Sequence, residues 1–288
     1  MGYFFALMAT LFWAGNAVAA RFLAESVPPL GVSFWRWAVA LIICIPATYP
    51  AFRRNIPAVK EHWKYLLLLA FLGVALFNTL LYTAAHTTTA FNLSVISTVT
   101  PVIIFVFSFI FTGESLSRTG FVGFVLASLG ILFLITDGRP ANILAMKTAS
   151  GDLIMLLAAC VFAAYTVLVR KKPPEITINT MVFATFVMGF FMLLPPYIIQ
   201  EIFFVQVKFG MPQILGFIYV GVFASFASFM FWNRAVVMIG ASRSAAVYYS
   251  IPVFSGTLGF ILLGESLTYT DITSMFMVGF GVYLTGKQ

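Results

Sequence analysis

Ten apolar runs follow one another along this chain, each close to the length of a membrane-spanning helix. A helix needs about 20 apolar residues to cross the ~30 Å hydrocarbon core of a bilayer. Each run therefore predicts one spanning helix. The ten predicted spans cover residues 3–22, 30–49, 65–85, 92–111, 118–136, 152–169, 178–199, 214–233, 244–263 and 270–285.

The composition supports a membrane protein. Of the 288 residues, 61% are hydrophobic and 9% are charged, whereas a soluble domain carries about 25% charged residues. The net charge of +7 comes from basic residues in the short segments between the runs, a pattern typical of membrane orientation and not of nucleic-acid binding. The expected partners are therefore the lipid bilayer and a small-molecule substrate, with no nucleic acid. Cys44 and Cys160 lie in separate runs, so no disulfide, metal or other cofactor is expected.

The chain repeats itself after about half its length. A shift of 151 residues superimposes the Pro-Val pair at 101 on the pair at 252, and the Gly-Glu-Ser-Leu at 113 on that at 264. A shift of 149 places Trp13 on Phe162 and Arg21 on Arg170. Such an ordered series of matches indicates duplication. We predict two five-helix repeats, residues 1–139 and 140–288.

The charges predict how these repeats are oriented. Because each repeat has an odd number of spans, the second enters the membrane from the opposite side. With a cytoplasmic N-terminus, the inward-facing segments carry eleven basic residues and the outward-facing segments carry four, as the positive-inside rule requires. The predicted fold is an all-α polytopic membrane protein of ten transmembrane helices, arranged as two inverted five-helix repeats with both termini in the cytoplasm.

Inverted repeats are typical of transporters that work by alternating access. A channel or facilitator remains an alternative, since channels also contain such repeats. An enzyme is not expected, because no acid pair, metal cluster or nucleophile–base pair lies within the predicted spans.

The acidic residues restrict the substrate. Glu114, Glu265, Asp152 and Asp271 all lie at the ends of spans or in turns. A carboxylate deep in a span usually marks ion or proton coupling, so we expect a neutral or zwitterionic substrate. Glu114 and Glu265 each follow a glycine and are interpreted as residues that shape helix ends.

The third and eighth spans carry polar faces. Asn78, Tyr82 and His86 recur every four residues and share one helical face. Ser225 and Trp232 lie on a similar face of the eighth span. We predict that both faces line a shared cavity, with interhelical hydrogen bonding as the alternative for Asn78. His86 is also a candidate gating or proton site, although an interfacial position is the simpler interpretation.

The first span of each repeat offers an aromatic residue followed by a hydrogen-bonding one. Trp13 and Asn16 lie one turn apart, and their counterparts are Phe162 and Tyr165. Trp13 is far from the membrane interface, where tryptophan is usual. We predict that Trp13, Asn16 and Tyr165 bind substrate, with ordinary packing as the alternative.

Two prolines interrupt equivalent spans near their middles. Pro101 and Pro252 each remove a helical hydrogen bond and free the carbonyl four residues earlier. Paired interruptions at corresponding points of two repeats indicate a site near the bilayer midplane. We therefore predict that both prolines act as hinges. The neighbouring residues predicted to bind substrate are Ser97, Thr98, Tyr248 and Tyr249.

Arg36 lies about two turns into the second span, between two tryptophans. The ordinary interpretation is that its side chain extends to the outer membrane interface. The alternative is a charge that binds a carboxylate or phosphate at the mouth of the cavity, which makes Arg36 a second candidate gating or proton site.

The repeated Pro-Val and Gly-Glu-Ser-Leu elements, with an aromatic-Ala pair in the first span of each half, resemble the drug/metabolite transporter superfamily. Within it the chain is similar to the ten-helix exporters with two EamA domains, and most similar to YddG-type exporters of aromatic and other neutral amino acids. The resemblance implies a bacterial inner-membrane exporter of small metabolites. We expect the protein to function as a monomer. Multidrug or organic-anion export is the alternative. The small four-helix multidrug relatives carry an acidic residue in their first helix, where this chain has Trp13 and Asn16.

Overall fold

A computed structural model of the protein describes residues 1–24, 26–88, 90–144, 149–207, 209–263 and 268–287. Across these residues the chain forms helices joined by turns, and no strand. The helices of the first half are α1 (Gly2–Ala24), α2 (Pro29–Arg54), α3 (Ile56–Glu61), α4 (Trp63–Ala70), the π-helix π1 (Phe71–Leu76), α5 (Phe77–Thr87), α6 (Ala90–Ser97), α7 (Val99–Thr112) and α8 (Arg118–Ile135).

The second half begins with the short helix α9 (Ala141–Leu144). It contains α10 (Ser150–Arg170), α11 (Ile178–Phe203), α12 (Met211–Tyr219), the π-helix π2 (Val220–Ala227), α13 (Ser228–Ile239), α14 (Ala241–Tyr248), α15 (Ser250–Leu263) and α16 (Tyr269–Gly286).

By length and composition, seven helical segments of the described chain are able to cross a membrane. They are Pro29–Arg54, Trp63–Thr87, Asn92–Thr112, Arg118–Ile135, Ser150–Arg170, Ile178–Phe203 and Met211–Ile239, which correspond to the second to eighth predicted spans. The predicted first, ninth and tenth spans coincide with α1, with α14 and α15 together, and with α16. The protein is thus a multi-pass, all-helical membrane protein, and the count of ten stays a prediction.

The exterior of the bundle is apolar, as lipid requires. Large side chains such as Phe109, Phe203 and Phe276 are more than half exposed. Water would penalise so much exposed apolar surface, whereas the acyl chains of a bilayer solvate it.

Glycine backbones allow the closest helix contact. α8 packs along α16, and a Cβ on Gly123 would lie 2.5 Å from the carbonyl oxygen of Gly281. Gly120, Gly123 and Ala127 are all buried against this neighbour. Small residues of this kind let membrane helices approach closely.

Two predicted spans are broken at equivalent positions. The fourth is divided into α6 and α7 at Thr98, and the ninth into α14 and α15 at Tyr249. Each break comes shortly before the proline, since Pro101 and Pro252 both occupy the third position of the helix that follows. A proline there fits because the first turn of a helix has unbonded N–H groups in any case.

Candidate substrate-binding site

Arg36 lies at the centre of the polar contacts in the bundle. On α2 the buried residues Arg36, Ala40, Cys44 and Thr48 recur every four positions and form one stripe toward the interior. The Arg36 side chain follows this stripe inward and is 1% exposed. The interpretation that it extends to the membrane interface is therefore wrong, because the guanidinium finds its hydrogen-bond acceptors inside the bundle.

Four acceptor oxygens hold the guanidinium. Nε donates to Ser225 Oγ at 2.7 Å. Nη1 donates to Asn78 Oδ1 and to the Tyr82 hydroxyl, both at 2.8 Å. Nη2 donates to the backbone carbonyl of Ala224 at 3.0 Å. Asn78, Tyr82 and Ser225 were all predicted from the sequence to bind substrate. They meet at the side chain of Arg36, which the sequence analysis had placed at the membrane interface.

The two π-helices create these acceptor positions. In π2, Ser225 Oγ donates to the carbonyl of Val220, five residues earlier. Just after π1, Asn78 Nδ2 donates to the carbonyl of Gly73, also five residues earlier. A π-helix disturbs the regular backbone ladder and is frequent at functional sites. Here the carbonyl of Ala224 accepts from side chains of other helices.

Trp13 shares that carbonyl with Arg36. Trp13 Nε1 donates to the Ala224 oxygen at 3.0 Å, so α1 and α2 meet at a single acceptor on π2. The close approach of α2 depends on Gly221, where a Cβ would lie 2.5 Å from Val39 Cβ and 3.0 Å from the Arg36 carbonyl oxygen.

Four aromatic rings pack beside this polar cluster. Trp13, Phe162, Trp232 and Tyr248 contact one another in all six pairings, with ring centroids 5.3 to 6.0 Å apart. We call these four residues the aromatic cluster. It combines Trp13 of the first half with three residues of the second half, and three of its members are predicted site residues.

Further polar groups border the aromatic cluster. Tyr165 is buried beside Phe162 and donates its hydroxyl to Asn233 Oδ1 at 2.9 Å. Trp232 Nε1 donates to Thr166 Oγ1 at 3.2 Å. Asn16 is 9% exposed, and its Oδ1 is buried without a hydrogen-bond partner in the described part of the chain. A buried acceptor without a partner is uncommon.

The two helix breaks form a separate contact. The Tyr249 hydroxyl donates to the carbonyl of Thr98 at 3.3 Å and contacts Ser128 Oγ at 2.8 Å. The hydroxyls of Ser97 and Thr98 donate to backbone carbonyls of α6, those of Ser94 and Val95 respectively. These side chains therefore lie away from the contacts that surround Arg36, and Tyr248 is the break residue that reaches the aromatic cluster.

His86 does not join the site. Its side chain is exposed at the end of α5, and its Nδ1 lies 2.8 Å from the carbonyl oxygen of Tyr82 on the same helix. Asn78 and Tyr82 point toward Arg36, so the predicted polar face is buried in its first two members and exposed in its third. The interfacial interpretation of His86 fits this position.

Glu114 joins three helices, α7, α10 and α14, on one side of the bundle. Its carboxylate pairs with Arg170 at the end of α10 and accepts from the backbone N–H groups of Ala241 and Ser242 at the start of α14. Ser108 Oγ also donates to it at 2.9 Å. The prediction that Glu114 shapes a helix end is confirmed. Glu265, its repeat counterpart, lies outside the described residues.

Both halves of the chain match one family. The EamA-like transporter family matches residues 1–136 and again residues 149–287. The chain belongs to the EamA-like transporter family.

Curated relatives in this family resemble it over nearly the whole length. An uncharacterised transporter of Archaeoglobus fulgidus is 24% identical, with 96% of this chain and 93% of the relative covered. The uncharacterised transporter YetK of Bacillus subtilis is 23% identical, with 99% and 87% covered. A solved crystal structure with 16% identity has the same fold, with a TM-score of 0.81 over 99% of this chain and 96% of that one. The resemblance to the drug/metabolite transporter superfamily is thus confirmed, and the protein is a membrane transporter.

A cavity in this EamA-family protein lies apart from the predicted site. It has a volume of about 620 Å³ and opens between α1, α15 and α16. Its lining is largely apolar, and Tyr3, Ser250 and Lys287 supply polar groups. None of the residues predicted to bind substrate lines it. Around the aromatic cluster the rings pack directly against one another.

Sequence reasoning missed several residues of the site. Phe229, Phe77 and Thr166 contact the predicted residues Trp13, Trp232 or their neighbours. The central place of Arg36 was also missed. A sequence signal for it existed, because Arg36 and the small residues Ala40 and Cys44 recur every four positions along α2. The two π-helices have no comparable pattern.

Proposed function

We propose that this protein exports small neutral metabolites, including aromatic and other neutral amino acids, across the bacterial inner membrane by alternating access. The observation that carries the proposal is the convergence of Trp13, Asn78, Tyr82, Ser225 and Trp232 near the middle of the bundle from both halves of the chain. Such a site offers rings for apolar side chains and hydrogen-bonding groups for polar ends.

The proposed architecture is ten transmembrane helices in two inverted repeats, with both termini cytoplasmic. Its support is the pattern of helix contacts. α2 packs on its repeat counterpart α11, and α8 on its counterpart α16. α1 packs on π2, α13 and α15, while α10 packs on π1, α5 and α7. Exchanging the two halves turns the first set of contacts into the second, as a pseudo-two-fold axis requires.

Two contacts between equivalent residues support such an axis. Trp13 and Phe162 correspond at a shift of 149 residues, and their rings are 5.6 Å apart. Thr98 and Tyr249 correspond at a shift of 151 and are joined by a hydrogen bond. Residues that contact their own counterparts lie near the axis, where a cavity shared by both repeats is expected.

A counterflow assay tests the function. Purified protein is reconstituted in liposomes loaded with unlabelled Phe, Met, Leu or Thr, and uptake of the labelled amino acid is measured at two pH values. We expect saturable counterflow above that of empty vesicles. Movement of another metabolite class, with no amino acid moving, would show that the substrate assignment is wrong. Conduction that does not saturate and lacks counterflow would indicate a channel or facilitator.

Organic-anion export is the second candidate, and a specific observation favours it. Arg36 is a buried cation, and no carboxylate of the described residues forms an ion pair with it. An organic acid would compensate that charge as well as an amino acid would. Multidrug export has less support, because a cationic drug would meet a positive charge at this point.

A further inference from the structure

We propose that Arg36 binds the carboxylate group of the transported substrate. The assignment rests on the proposed function, namely that the protein transports small metabolites through the centre of the bundle. It narrows their chemical class to molecules that carry one carboxylate, whether zwitterionic or anionic.

The charge of Arg36 is not compensated by an acidic residue of the described chain. Arg36 lies seven residues from the start of α2, about 10 Å along a helix that rises ~1.5 Å per residue. At that depth the side chain is 1% exposed, and its acceptors Ser225, Asn78, Tyr82 and Ala224 are all neutral. Buried charges in membrane proteins are costly unless they are paired, and they usually mark substrate or ion pathways.

The Arg36 guanidinium has donor groups in a geometry that suits a carboxylate. A guanidinium has five N–H groups in a flat fork that matches a carboxylate. Four hydrogen bonds are formed here, and Nη2 donates once, so one N–H remains for a ligand. The Tyr82 hydroxyl can donate as well as accept, whereas that of Ser225 already donates to the carbonyl of Val220. When a carboxylate enters, the Tyr82 hydroxyl can turn from the guanidinium and donate to the anion.

Arg36 lies beside the aromatic cluster. Arg36 Nη2 and Trp13 Nε1 donate to the same oxygen, that of Ala224. A ligand carboxylate at the guanidinium would therefore place the rest of the molecule against Trp13 and its neighbouring rings. This arrangement suits a metabolite with a carboxylate at one end and an apolar group at the other.

The charge count favours a carboxylate over a phosphate. Across the part of the chain that the structure describes, Arg36 is the basic residue that contacts Asn78, Tyr82 and Ser225. One cation compensates a monoanion, whereas a phosphate dianion would leave a negative charge in a medium of low dielectric constant.

Competition in the counterflow assay tests the assignment with three analogues of Phe. 3-Phenylpropionate keeps the carboxylate and lacks the ammonium group, whereas phenethylamine and phenylalaninamide lack the carboxylate. We expect 3-phenylpropionate to compete with labelled Phe, and the other two to require concentrations about tenfold higher or more. A lost hydrogen bond to a charged group has an effect of this size.

A variant that supplies an internal anion gives a second test. Asn78→Asp keeps the shape of the side chain and places a carboxylate where Arg36 Nη1 now donates at 2.8 Å. We expect counterflow of Phe to fall about tenfold or more while the unfolding temperature stays equal or rises, because the buried charge becomes paired. The matched control is Asn179→Asp, where Asn179 Oδ1 accepts from Arg234 outside the site. We expect transport by this control to be unchanged.

The outcomes separate the two proposals. Counterflow of 3-phenylpropionate without counterflow of Phe would overturn the amino-acid assignment and support the role of Arg36. Phe counterflow that phenethylamine inhibits as strongly as 3-phenylpropionate does would overturn the role of Arg36 and leave the transport proposal standing. Full transport by Asn78→Asp would also overturn the role of Arg36. No movement of any probe would overturn both.

Discussion

Tyr249 donates its hydroxyl to the backbone carbonyl of Thr98 at a distance of 3.3 Å, and the two residues hold the same position in the two halves of the chain. Each lies in the gap between two helices of a broken span. Because this contact joins the two breaks, we predict that a movement of one half-helix is transmitted to its counterpart.

Removal of this contact is the first prediction. Tyr249→Phe keeps the ring packed on Phe124 and removes the hydrogen bonds to Thr98 and Ser128. We expect a loss of about 1–2 kcal/mol in the free energy of unfolding, typical of two hydrogen bonds, together with a changed rate of counterflow. Thermal unfolding in detergent and counterflow in liposomes measure the two effects. Ser128→Ala is the control, because it removes the Ser128–Tyr249 contact and keeps the bond to Thr98. A change in rate for Ser128→Ala as large as that for Tyr249→Phe would contradict the coupling.

The second prediction concerns Trp13. Trp13→Phe retains an aromatic ring in the cluster and removes the Nε1 hydrogen bond to the Ala224 oxygen. We expect the Phe concentration for half-maximal counterflow to rise about fivefold, the equivalent of ~1 kcal/mol, with the protein still folded. Trp13→Ala leaves a large gap and should lower transport further. Phe12→Leu on the same helix is the control, since Phe12 packs on Phe223 and Phe231 outside the cluster. Unchanged transport by both Trp13 variants would remove this residue from the site.

The third prediction concerns the close approach of α2 and π2. A Cβ on Gly221 would lie 2.5 Å from Val39 Cβ, so Gly221→Ala forces the two elements apart. We expect a loss of about 1–3 kcal/mol in the free energy of unfolding, as for other overpacked sites, and a larger loss of transport because Arg36 moves away from Ala224. Gly279→Ala is the matched control, because a Cβ there meets nothing within 4 Å. Equal unfolding temperatures for the two variants would argue against the tight contact.

The fourth prediction concerns the ion pair at the end of the bundle. Glu114→Gln removes the charge that pairs with Arg170 and weakens the bonds to the start of α14. We expect this end to open more often. Labelling of Ser242→Cys, a position that is 2% exposed, by a membrane-impermeant maleimide should then be several-fold faster in the Glu114→Gln background. The exposed Glu61 provides the control Glu61→Gln, which should leave the labelling rate unchanged. Equal rates in both backgrounds would show that Glu114 does not hold this end closed.

The sequence by itself determined the class and the family of the protein. Long apolar runs with few charges predict membrane-spanning helices, because every backbone polar group in the bilayer must form its hydrogen bond within the protein. The family followed from the repeated Pro-Val and Gly-Glu-Ser-Leu elements. The breaks at Thr98 and Tyr249 come shortly before Pro101 and Pro252, whose effect is local to their own helices, although Pro46 and Pro195 lie inside helices that stay unbroken.

Only the tertiary structure decided which of the predicted residues meet. A long basic side chain on a membrane helix can extend to the interface or turn inward, and its own sequence neighbours do not decide between the two. For Arg36 the decision depends on Ala224 and Ser225, nearly 190 residues away, and on the close approach that Gly221 permits. Ser97 and His86 show the reverse case. Both lie on faces that the sequence marks as polar, but each bonds to its own helix and stays outside the site, because no other helix in the described part of the chain offers it a hydrogen-bond partner.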